Sequence, residues 1–100
     1  MVPKRFYVQS STQNIYSGDS LSKAVEAYAK ADKRFRKKHS DARYYPPRLS
    51  LFDGRTVRTL AMSSRHDVQL VRPEGHERVV AEIVRVFDKR GRVPVHPLSR

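Results

Sequence analysis

Residues 48–62 read RLSLFDGRTVRTLAM. An Asp-Gly pair set between two apolar-rich runs is a hairpin signature, because glycine reaches the positive φ of a tight turn without steric cost. Arg48–Phe52 and Arg55–Met62 are therefore expected to pair as antiparallel strands around Asp53-Gly54. A two-residue turn at that pair would set Leu49 opposite Arg58, mixing apolar and charged side chains on one face. A three-residue turn with Gly54 left-handed and a bulge sets Leu49 opposite Val57 instead. Burying an arginine among leucines costs more than a bulge, which favours the bulged turn.

Downstream of the hairpin, Ser63–Asp67 is turn-like and Val68, Leu70 and Val71 mark a third strand. Arg72-Pro73-Glu74 then opens a helix, with proline in the first turn and acidic residues at the positive end. Val79, Val80, Ile83, Val84 and Phe87 are its expected buried stripe, and Gly91 its stop. Upstream, Pro46-Pro47 bars a helix from running into the hairpin. Before it, Leu21, Ala24, Val25, Tyr28, Ala31 and Phe35 recur three and four apart, predicting a helix from Leu21 to about Lys38. Asp19 or Ser20 can cap its first turn. At the start of the chain, Arg5–Gln9 alternates like a strand, and Asn14–Ser17 reads as a short return strand.

The order is β(β)αβββα. It predicts an α+β fold: a small antiparallel sheet of three to five strands with two helices packed on one face. Residues 1–91 are expected to form a single domain. Residues 92–100, with Pro94 and Pro97, are expected to be an extended or disordered tail.

Charge is the dominant global feature. The 100 residues hold 21 Lys and Arg against 10 Asp and Glu, a net charge of +11. Such a balance concentrates polyanions around the protein. With no cysteine, neither disulfides nor a Cys-based zinc site can staple the fold, and the composition suits a reducing cytosol. Lys4 and Arg5 are not followed by an apolar segment, so no signal peptide is expected. No apolar run approaches the roughly 20 residues of a membrane span. A cytoplasmic protein with no membrane association is expected.

The charge is clustered. Residues 30–38 read KADKRFRKK: Lys30, Lys33, Arg34, Arg36, Lys37 and Lys38 against Asp32 alone. Compensation of the helix dipole accounts for two or three cations, not six. Arg43, Tyr44, Tyr45 and Arg48 follow, and aromatics interleaved with arginines can stack on unpaired bases while cations hold phosphates. Tyr44 and Tyr45 can equally anchor the loop on the core. Arg58, on the alternate side of its strand from Val57, is expected to point away from the helices, making the open face of the sheet basic.

Catalytic motifs are weak. Ser63, Ser64, His66 and Asp67 cluster in one turn, where turn chemistry explains them better than a triad. His39, His66, His76 and His96 lack metal-ligand spacing, and no phosphate-cradling glycine loop is present. No enzyme activity, cofactor or metal is expected.

From Leu21 onward the order helix, three strands, helix resembles the topology of double-stranded RNA-binding domains. Those domains carry a lysine cluster at the start of the second helix. Here Arg72-Pro73-Glu74-Gly75-His76-Glu77 stands in that place, and no residue role is carried across.

The expected function is a small non-catalytic nucleic-acid-binding module working through phosphate electrostatics, DNA and RNA being equally open. The alternative is an adaptor or inhibitor of the phage or mobile-element type, docking on an acidic protein surface around Tyr7, Tyr16, Tyr44 and Tyr45. A homodimer through the first hairpin fits either.

Overall fold

The computed structural model describes residues 5–10, 13–37, 45–65, 67–71, 74–90 and 94–97. The chain runs β1 (Arg5–Ser10), β2 (Gln13–Gly18), α1 (Leu21–Lys37), β3 (Pro47–Phe52), β4 (Val57–Ser63), β5 (Val68–Leu70), α2 (Glu77–Arg90) and β6 (Val95–Pro97). The strands make one sheet in the order β2-β1-β3-β4-β5-β6. The first five are antiparallel neighbours, and the fold is α+β. The β1–β2 hairpin extends the sheet beyond β3.

Both helices pack on one face. Phe6, Val8, Leu49, Leu51, Leu60, Ala61, Val68 and Leu70 from the sheet meet Ala24, Val25, Tyr28, Ala29, Val79, Ile83, Val86 and Phe87 from the helices. Tyr28 and Phe87 bring α1 against α2, their ring centroids 5.8 Å apart. Ser20 starts α1: its carbonyl accepts the Ala24 N–H at 3.0 Å and its Oγ accepts the Lys23 N–H at 3.2 Å.

The β3–β4 register differs from both expected alternatives. Phe52 faces Val57, Leu51 faces Arg58 and Leu49 faces Ala61. Asp53 and Thr56 close the turn, with the Asp53 N–H donating to the Thr56 carbonyl at 3.2 Å, so Gly54 and Arg55 are its central residues. Gly54 takes φ +98°, a left-handed conformation that glycine reaches without steric cost. Asp53 Oδ1 also accepts the N–H groups of Arg55 (3.0 Å) and Thr56 (3.1 Å). The bulge lies within β4, between the pairs Ser50–Thr59 and Leu49–Ala61. Leu60 is the extra residue, and the two consecutive apolar side chains, Leu60 and Ala61, both enter the core.

Three further expectations change. Gly75 takes φ +84°, outside helical geometry, and the first α2 bond runs from the Val80 N–H to the His76 carbonyl at 3.0 Å. The second helix thus begins at Glu77 rather than around Arg72-Pro73. Its buried stripe uses Val86, while Val84 is 42% exposed. Finally, Val95–Pro97 joins the sheet as β6, parallel to β5, with the Val68 N–H bonded to the Pro94 carbonyl at 2.9 Å. Among the described residues no helix is long and apolar enough to cross a membrane.

Candidate nucleic-acid interface

Helix α1 organises the basic cluster by sorting its charges between two faces. Its buried side carries Ala24, Val25, Tyr28, Ala29, Ala31 and Asp32. On the opposite side Lys23, Lys30, Lys33, Arg34 and Lys37 are all exposed. Lys23, Lys30 and Lys37 are seven apart, drifting only ~20° per step, so they form a nearly straight row. At 1.5 Å per residue the row is about 21 Å long. Lys33 and Arg34 flank it, and Glu26 is the one carboxylate on that side of the helix. Lys23 was not singled out from the sequence, although its seven-residue spacing from Lys30 was the available signal.

Arg36 does not belong to this row. Its Nε donates to Asp32 Oδ2 at 2.9 Å and its Nη2 to Asp32 Oδ1 at 2.7 Å. Nη2 also reaches the Asp67 carbonyl at 2.9 Å, and Nη1 reaches the carbonyls of Ser64 (2.7 Å) and Arg65 (3.0 Å). A guanidinium has five N–H donors, and this one directs five bonds into the protein. The expectation that Arg36 contacts phosphate is therefore corrected: it clamps α1 to the β4–β5 turn.

The clamp rests on a buried polar chain. Asp32 is 1% exposed and accepts the Ser63 hydroxyl at 2.6 Å. Since the carboxylate takes the Ser63 proton, the 2.9 Å bond between Tyr28 and Ser63 must run from the Tyr28 hydroxyl to Ser63 Oγ. Burial, ahead of the charge of Asp32, pushes the Tyr28 phenol well above its ordinary range. No buried side-chain polar atom among the described residues lacks a partner. Ser63 is thus spent on Asp32, and Ser64 bonds Asp67 within the turn.

The other expected contacts are scattered. Arg48 lies on the open face of the sheet, half-buried, with its Nη2 3.4 Å from Gln9 Oε1. Cross-strand partners share a face, so Arg58, opposite the buried Leu51, lies on the helix side, not on the open face. Arg58 is exposed there and sits 3.4 Å from Asp53 Oδ2. Asp53 is held below the usual carboxylate range by the Thr56 and Arg55 N–H groups and by Arg58. The register gives the open face Arg5, Tyr7, Gln9, Arg48, Ser50, Phe52, Val57, Thr59, Met62 and Gln69, a mixed surface with two arginines. It lies on the opposite side of the molecule from the α1 row, so the two do not merge into one footprint. Tyr45 is 52% exposed, with its carbonyl accepting the Ser10 hydroxyl at 2.6 Å. Lys38, Arg43, Tyr44, His39 and His66 lie outside the described residues.

Between α1 and β2 runs a groove of about 430 Å³, bounded by Ile15 and Tyr16 on the strand and by Lys23, Glu26, Ala27, Lys30 and Arg34 on the helix. A bulge in β2 creates its strand wall: Val8 pairs with Tyr16 and Gln9 with Asn14, leaving Ile15 extra. Among the described residues no three His, Cys, Asp or Glu side chains gather as a metal-ligand set. The chain matches no protein-family model, no curated protein and no solved structure, so its site is read from its own geometry.

Proposed function

We propose that this protein is a non-catalytic nucleic-acid-binding module of the cytoplasm whose contact surface is the outward face of α1. The observation that carries the reading is the row Lys23, Lys30, Lys33, Arg34 and Lys37, exposed on the side of the helix opposite the core. A solvated surface helix ordinarily alternates charge sign; α2 does so, with Glu82 and Arg85 joined at 2.6 Å. The α1 face has nearly one sign, which suits a ladder of phosphates. Its orientation is fixed from behind by the Arg36 clamp, so the cations are presented by a rigid element.

Five neutralised phosphates imply a loss of about 100- to 500-fold in affinity between about 50 and 200 mM salt. Fluorescence anisotropy with labelled DNA and RNA reads this directly. Reversing two exposed charges, Lys33→Glu with Lys37→Glu, is expected to abolish binding without unfolding the protein. Unchanged binding in that variant overturns the assignment. Absence of binding by the wild type at low salt turns the same face toward an acidic protein partner.

A further inference from the structure

The α1–β2 groove extends the phosphate-binding reading, on which the following rests. Phosphate alone requires no apolar surface, yet the cationic row is bordered by one. Ile15 is 36% exposed and Tyr45 52% exposed, and both open beside α1. The 430 Å³ groove has a largely apolar lining that includes Ile15, Ala27 and Ala31. A second hollow of about 80 Å³ adjoins it, sharing Ile15, Ala31 and Arg34 and bounded by the Tyr45 side chain. Lys30 and Arg34 therefore stand between a hydrophobic trough and solvent. The volume falls in the range of about 300–1,000 Å³ typical of clefts that hold small organic groups.

We propose that the trough receives unpaired nucleobases, making this protein a binder of single-stranded rather than duplex nucleic acid. A single strand offers both surfaces the site presents: phosphates for Lys30 and Arg34, and base faces for Ile15 and Tyr45. A duplex hides its base faces in the stack and leaves the trough unused. Aromatic side chains beside a cationic track are the usual construction for sequence-tolerant single-strand binding. A second copy of the chain is disfavoured as occupant, because it would bring its own +11 charge against the same cations.

The test compares three labelled oligonucleotides of equal length: an intact single strand, an abasic single strand with the same phosphates, and a duplex. The wild type is expected to bind the intact strand about five- to a hundredfold more tightly than the abasic one, the range that stacking of one base supplies. The double variant Ile15→Ser, Tyr45→Ala should erase that preference while leaving abasic and duplex affinities within about twofold. Both positions are outside the buried core, and thermal unfolding of the variant checks that it folds. Equal wild-type affinity for intact and abasic strands overturns the inference and leaves the phosphate reading standing. So does a variant that keeps the preference. Failure of all three oligonucleotides to bind at low salt overturns both.

Discussion

Arg36 and Lys37 are adjacent in sequence and belong to the same run of cations, yet the helix turns them to opposite uses. Arg36, its side chain 16% exposed, spends its donors on Asp32 and on three backbone carbonyls of the β4–β5 turn. Lys37 stands in solvent at the end of the outward row. Charge composition does not distinguish them. Position relative to the buried face does, because a guanidinium brought against unpaired carbonyls and a carboxylate becomes part of the interior. One side of α1 therefore holds the fold together, and the other is free to meet a partner.

The comparison is broken most forcefully by removing the acid at the centre of the inner face. Asp32→Ala strands Arg36 and Ser63 together, and loss of one partner of a buried ion pair costs about 3–5 kcal/mol. Urea unfolding should show that loss, and a cost below about 1 kcal/mol would mean the inner face is not structural. Tyr28→Phe is gentler. It removes one donor, leaves the Ser63–Asp32 bond intact, and should cost about 0.5–1.5 kcal/mol.

The Tyr28 variant also has a pH signature. Because the folded phenol is raised above its unfolded value, its stability contribution is complete below about pH 10 and is lost as pH rises from there through the folded value. The wild type should lose stability in that alkaline window, measured by denaturant unfolding at stepped pH, and Tyr28→Phe should lose less. Lys37→Ala is the smallest change to the fold, within about 0.5 kcal/mol. Its effect should instead appear in binding, as a log–log salt slope shallower by about 1. A Lys37→Ala protein that is destabilised but binds normally would reverse the assignment of the two faces.

Much of the fold was legible from local chemistry. Ser20, the three-four spacing from Leu21 and the stop before Pro46-Pro47 delimit α1 well, because capping and periodicity are properties of neighbouring residues. Asp53-Gly54 located the hairpin. Its register was not legible, because Asp53 closes the turn with its own side chain and the Leu60 bulge shifts the pairing several residues away. The bulge is a tertiary effect, since it turns both Leu60 and Ala61 into the core. The prolines near β6 read as a break, since nothing local announces a parallel partner brought back by α2. Asp32 was counted as a dilution of surface charge, though it lies four residues after Tyr28, on the same helical side as Phe35. The same spacing that identified the core could have flagged it. The groove joins β2 to α1 across a bulge, a juxtaposition outside the reach of a linear pattern.

The bulge at Ile15 has a further consequence when it is set beside the opposite margin of the sheet. A row of unpaired strand amides and carbonyls is a template for intermolecular pairing, which leads to aggregation. Here one margin is β2, interrupted by its extra residue, and the other is β6, three residues long with Pro94 before it and Pro97 at its end. Each interrupts a continuous template in a different way. Molecules drawn side by side along one anionic polymer would be crowded at high local concentration. Blunted margins let them crowd without fusing their sheets.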